Sequence, residues 1–242
     1  MKTHGFYQSG LGTKLICEDN YPEQIHHYLL AEKALFNLAL EDHRVVTEVG
    51  CMQGRYLDVV LKKGRQYLGI DVVETYLQEG ALIARQKSYD DHRYEFRQVD
   101  ACCLDQAIED AKPFAALSED NLIIYPFNSM GNMSQIELAI DSLIKTKSPF
   151  LICTYKTSAE STLARFDYYH RCRYQQLTCG TDAMGVRFTS SEGLNSVAFD
   201  RNWITSKFLD QQVNLYPLPL STIGVVYTNS QTIVQRTREC LL

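Results

Sequence analysis

The chain has 242 residues, of which 45% are hydrophobic and 22% charged. That make-up excludes a disordered chain and is enough for one large domain or two small ones. A net charge of −5 argues against a dedicated nucleic-acid binder, and the first five residues lack the apolar segment of a secretory leader. No apolar run approaches the ~18 residues of a membrane span. The eight cysteines form no C-x-x-C pair, and several stand inside apolar strands, where a thiol is a small hydrophobe. The sequence therefore reads as a reduced, cytoplasmic protein with no metal site. Its charge is unevenly divided. Residues 1–150 carry 15 basic and 22 acidic side chains, whereas residues 151–242 carry 9 and 7, and seven of those nine are arginines.

In chain order, residues 24–40 align Ile25, Tyr28, Leu29, Ala34, Leu35 and Leu38 in a helical stripe. This predicts a helix packed on a sheet ahead of its first strand. Apolar, β-branched runs then follow at 44–49, 67–71, 94–99, 121–127 and 150–154. Helical patterns at 53–63, 73–87, 104–111 and 134–145 separate them. Continuous apolar strands between helices mean a parallel sheet covered on both faces, and right-handed crossovers leave a doubly wound α/β fold. Thr157-x-x-Glu160 has the form of a capping box opening a helix through Cys172. Met184, Val186 and Phe188 alternate with Gly185, Arg187 and Thr189, predicting a late β-hairpin over about 175–190. A helix over 202–211 and strands over 213–216 and 222–228 would finish the sheet. Neither a repeat nor a linker divides the chain, so 1–242 reads as a single domain.

The most informative stretch is Val45-Val46-Thr47-Glu48-Val49-Gly50-Cys51-Met52-Gln53-Gly54, a strand entering a glycine turn. Backbone N–H groups at such a turn face a ligand. The third glycine of a dinucleotide fingerprint is missing, and a carboxylate two residues before Gly50 suits an ammonium group better than a pyrophosphate.

Glu-x-Gly-x-x-x-Gly at the end of a first strand resembles motif I of class I S-adenosylmethionine-dependent methyltransferases. Three further landmarks match in order: Tyr67-Leu68-Gly69-Ile70-Asp71, Phe96-Arg97-Gln98-Val99-Asp100-Ala101, and Asn121 through Asn132 with Tyr125-Pro126-Phe127-Asn128 at its centre. The resemblance covers residues ~44–154 and points to the small-molecule type of the family. It implies a mostly parallel seven-stranded sheet with an antiparallel last strand. It also implies a division into an N-terminal cap or lid (1–43), a cofactor-binding core (44–154) and an acceptor-side segment (155–242). S-adenosyl-L-methionine would be the donor and S-adenosyl-L-homocysteine the product. Glu48, the Gly50, Cys51, Met52 and Gly54 backbone, Asp71 with Val72, and Asp100 with Ala101 would hold the donor. Asn128 would stand beside the transferred methyl. Met52 occupies a position where the family often has glycine, so its side chain would crowd the methionine part of the donor.

The acceptor side is read from the residues. Asn128, His170 and Tyr125 are the catalytic candidates, with His170, Tyr125 and Glu192 as possible bases. Tyr7, Tyr169, Arg173 and Glu192 are candidate acceptor contacts, and Phe6, Tyr7 and Tyr21 are lid aromatics. His26 and His27 read as surface residues or caps. The segment from Arg165 to Tyr174 interleaves arginines and aromatics; it reads as a solvated amphipathic helix, an acceptor wall, or a nucleic-acid surface. The acidic total favours a small-molecule acceptor and a monomer or homodimer. The alternatives are an RNA or protein methyltransferase using the arginines of 165–187, and a catalytically silent cofactor-binding domain.

Overall fold

A computed structural model describes residues 3–111 and 120–240; Met1 and Lys2 of the N-terminal cap lie outside these. The apolar runs become β1 (Val45–Val49), β2 (Gln66–Asp71), β3 (Tyr94–Gln98), β4 (Asn121–Tyr125) and β5 (Phe150–Tyr155), all paired in parallel. Strands β1, β4 and β5 are buried along their whole length, as coverage on both faces requires. A second, antiparallel sheet follows, from β6 (Thr178–Asp182), β7 (Gly185–Thr189) and β8 (Asn195–Phe199). The chain then returns with β9 (Tyr216–Pro219) and β10 (Gly224–Thr228). The large sheet has seven strands in the order β3-β2-β1-β4-β5-β10-β9, and β10 runs antiparallel to both neighbours.

The helices are α1 (Thr3–Gln8), α2 (Glu23–Ala39), α3 (Leu57–Lys62), α4 (Glu74–Gln86), α5 (Leu104–Asp110), α6 (Ile136–Lys145), α7 (Ala159–Arg171), α8 (Arg201–Leu209) and α9 (Gln231–Cys240). Strand alternation divides the core into two layers. Val46, Leu122, Ile124, Leu151 and Cys153 pack with residues of α2, α3, α7 and α9. On the other face Ile123, Tyr125, Phe150 and Ile152 pack with α5, α6 and α8.

Four expectations are corrected. Helix α3 begins at Leu57 rather than 53, because Gly54 takes a left-handed turn (φ 90°) that no helix accommodates. Helix α7 is capped by Ser158, whose hydroxyl accepts from Ser161 N (3.3 Å), one residue after the Thr157 expected to cap it. The late hairpin gains a third strand, β8, hidden in the sequence because Ser196 to Phe199 are all buried and show no alternation. Finally, the strand expected at 213–216 starts only at Tyr216. It carries Pro217 and Pro219, which its position at the sheet edge permits.

Candidate active site

The site forms where the parallel strands end and their loops diverge. After β1 the chain turns through Gly50 (φ 73°), Met52 (φ 50°) and Gly54 (φ 90°). A Cβ on Gly50 would approach Ser129 Cβ to 2.9 Å, so glycine is required there by space as well as by φ. Met52 adopts the left-handed conformation despite its side chain, at a cost of about 1 kcal/mol. Asp71, at the end of β2, holds that conformation: its Oδ2 accepts from Met52 N (2.9 Å) and its Oδ1 from Val73 N (3.0 Å). Burial raises the Asp71 carboxyl above the ordinary range even so. The carboxylate lines the cavity, where its remaining acceptor capacity can meet a ligand's hydroxyl groups. After β3, Asp100 caps a single turn, its Oδ1 accepting from Cys102 N (2.9 Å).

Beneath the loop lies a buried polar cluster. Glu48 is fully buried; its Oε2 accepts from Tyr56 N (3.0 Å) and Tyr67 Oη (2.7 Å), while Oε1 has no partner. Desolvation raises its pKa to about 7. Glu32, on α2, accepts from Tyr56 Oη (2.9 Å) with Oε1 and from Phe127 N (2.7 Å) with Oε2. Tyr56 thus joins both glutamates and ties the cap helix to the loop.

The opposite wall is the turn after β4. Phe127 (φ 44°) and Asn128 (φ 61°) are consecutive left-handed residues, a strain that persists only where surroundings enforce it. Glu32 holds Phe127 N, Cys153 O accepts from Asn128 N (2.9 Å), and Asn128 Nδ2 donates to Ser196 Oγ (3.1 Å). The N-terminal residues close the top. Tyrosine hydroxyls fasten them: Tyr174 to Leu11 O (3.0 Å), Tyr21 to Leu15 O (3.2 Å), Tyr168 to Leu15 O, and Tyr76 to Tyr7 O (3.3 Å).

Together these elements line a partly open cavity of ≈ 860 Å³. Gly50, Cys51, Met52, Gly54, Asp71, Val72, Asp100, Ala101 and Tyr7 all line it. Glu48 does not; it braces the loop from below instead of meeting a ligand. Asn128 is likewise turned inward, its amide spent on the turn. Tyr125 is fully buried on the opposite face of the sheet and does not reach the cavity. Tyr169 is buried with its hydroxyl on Ser196 Oγ (2.8 Å). His170 is exposed and stacks on Phe166, and Arg173 is exposed too. Glu192 accepts from Gln175 N (2.9 Å). None of these last four lines the cavity.

Residues missed in the sequence take their places. His26 is exposed, as its reading as a surface residue expects, but it also borders the cavity and packs edge-on against Tyr21 (5.4 Å). Arg55 and Phe127 line it as well. For Glu32 there was a signal, since a carboxylate on the apolar stripe of Ile25, Tyr28, Leu35 and Ala39 must find partners inside.

These residues fit S-adenosylmethionine: a backbone cradle that a Cβ would fill, an acid after β2 with lone pairs to spare, and an acid with a backbone amide after β3. The strand order with one antiparallel strand next to the edge, together with this site, defines the class I S-adenosylmethionine-dependent methyltransferases. The sequence family described as Methyltransferase domain matches residues 40–207, and the chain belongs to it. No curated protein sequence matches the chain. Among solved structures it is similar to Burkholderia thailandensis 1,6-didemethyltoxoflavin-N1-methyltransferase, with 13% identity, 84% of this chain and 76% of that one covered, and a TM-score of 0.52. It is also similar to S-adenosylmethionine-dependent methyltransferases from Clostridium acetobutylicum (12% identity, 91% and 96% covered, TM-score 0.54) and Aquifex aeolicus (12%, 89% and 96%, 0.52). The protein is an S-adenosylmethionine-dependent methyltransferase. Among the described residues no helix is long and apolar enough to cross a membrane, and no cluster of three or more metal-ligating side chains occurs.

Proposed function

We propose that the chain methylates a small-molecule acceptor in this cavity, and that residues 1–242 act as one catalytic unit in the cytoplasm. The observation that carries the reading is the cavity itself, which joins the donor loop to a wall from the N-terminal segment and α2. Its volume suits a nucleoside-sized donor with a small second ligand. A polymer would need an open, basic groove. Of the arginines that raised that alternative, Arg165 is buried and donates to Val186 O (3.0 Å) and Ser196 O (2.8 Å), Arg171 and Arg187 pair with Asp167 (3.1 Å) and Asp182 (3.0 Å), and Arg173 stands exposed on its own among the described residues.

The donor, when bound, supplies an electrophilic methyl group on a sulfonium. The protein's work is alignment and exclusion of water, which methyl transfer chiefly needs. Asp71 and the Asp100–Ala101 turn would hold the adenosine, and the Gly50–Gly54 backbone the remainder. Tyr7, on the N-terminal segment, lines the same cavity as Asp71. For an acceptor that arrives protonated, His26 is the imidazole in the cavity wall and the candidate base, replacing His170, Tyr125 and Glu192. Neither oxygen nor nitrogen is favoured as the methylated atom. The resemblance to the Burkholderia enzyme, named for N1-methylation, supports a small heterocycle-sized acceptor. Calorimetric titration with S-adenosylmethionine, S-adenosylhomocysteine and NADH tests the reading: binding of the first two and not the third is expected, and absence of the first two would overturn it.

A further inference from the structure

Arg55 follows directly on the left-handed turn at Gly54 and lines the cavity. Its side chain is solvent-accessible, yet protein surrounds it, so its free surface opens on the cavity. The guanidinium carbon lies 4.9 Å from the Phe127 ring centroid, and the Tyr21 hydroxyl is its hydrogen-bond neighbour. Glu32, which accepts from Tyr56 Oη and Phe127 N, is the carboxylate that attracts it most, without an ion pair between the two. Arg55 forms no ion pair with any described residue. A guanidinium carries five N–H donors in a planar fork matched to a carboxylate. Here the fork is stacked on a ring, borders a cavity, and is attracted by Glu32 without being locked in an ion pair. The N-terminal and α2 wall of the cavity supplies Leu15, Ile16, Leu29 and Tyr21, with Phe127 opposite, beside the polar Glu18, His26 and Lys33.

We propose that Arg55 is the specificity residue for the acceptor, and that the acceptor is a carboxylic acid with a flat or apolar body. The acid group sits in the Arg55 fork and the body lies between Phe127, Tyr21 and the leucines of the cap. This assignment rests on the methyl-transfer reading above. The donor also carries a carboxylate, so the test must separate the two sources.

Calorimetry on the wild type with S-adenosylhomocysteine comes first, and failure there removes the methyl-transfer reading itself. With S-adenosylhomocysteine bound, ligand-observed NMR then compares benzoate and phenylacetate with benzamide and phenylacetamide. A charge-assisted bidentate pair predicts that the acids bind roughly tenfold tighter than their amides. The preference should vanish in R55Q and survive in part in R55K, which keeps the charge should the glutamine variant fail to fold. Affinity for S-adenosylhomocysteine should stay within about twofold in both variants, as for a residue outside the donor subsite. Equal binding of acids and amides by the wild type would overturn the proposal, as would a preference retained in R55Q. So would loss of S-adenosylhomocysteine affinity in R55Q with 5′-methylthioadenosine unaffected, since that assigns Arg55 to the donor's carboxylate.

Discussion

Two carboxylates that look alike in the sequence, Glu48 and Asp71, end up with different work. Asp71 sits at the cavity wall, fixing the strained Met52 while keeping acceptor capacity for a ligand. D71N keeps the shape but turns an acceptor into a donor toward either Met52 N or the ribose. S-adenosylhomocysteine should then bind at least about tenfold more weakly by calorimetry, the loss of one charge-assisted bond; unchanged affinity would remove the ribose assignment. Glu48 is buried and does not line the cavity, and the cost of that burial shows in the pH dependence of stability. Its pKa is raised to about 7 from 4.5, so below 4.5 both folded and unfolded chains are protonated and burial costs nothing. As pH rises from 4.5 to 7 the unfolded chain releases the proton while the folded one keeps it, and stability falls. Above 7 the folded protein carries the full penalty, about 3 kcal/mol for a shift of that size. E48Q avoids the charge. Urea unfolding at pH 5 and pH 8 should show the variant gaining on the wild type at the higher pH, and a pH-independent difference would contradict the assignment.

At the scale of elements, the second sheet is held to the large one through a buried cation. Arg165 on α7 is fully buried, with its guanidinium 5.0 Å from the Tyr155 ring and 4.7 Å from that of Phe188, and it donates to carbonyls of β7 and β8. R165A would leave both carbonyls unpaired and dissolve the ring cage, costing about 3 kcal/mol or more. R173A, on an exposed side chain, should change stability by less than about 0.5 kcal/mol. Equal urea midpoints for the two variants would refute this role. The pair also shows where sequence reading stops. Strands, crossovers and the donor loop were legible, because local period and glycine spacing encode them. In the run from 165 to 174, burial of Arg165 and exposure of Arg173 depend on where β7 and β8 lie across the chain, and nothing local records that. Asn128 was placed correctly at the strand end. Its direction was not legible, since it depends on Ser196, 68 residues later.

For the whole molecule, the uneven charge takes on another meaning. The acidic first part supplies the donor loop, the cap and Arg55, and hence both halves of the cavity. The arginine-bearing second part is mostly occupied with its own packing. The site is therefore shared between the N-terminal segment, with Tyr7, Leu15 and Tyr21, and the strand ends from β1 to β4. A ligand filling that space should couple them. At a hundredfold excess over its dissociation constant, S-adenosylhomocysteine should stabilise the protein by about 2.7 kcal/mol through mass action alone. Hydrogen exchange should show the gain in two separated stretches, the amides of residues 50–57 and those of 7–21. The tyrosine hydroxyls that fasten the N-terminal segment make it dependent on the same closed state. Protection confined to the loop would mean that the segment merely lies near the cavity, and its part in enclosing the acceptor would then have to be abandoned.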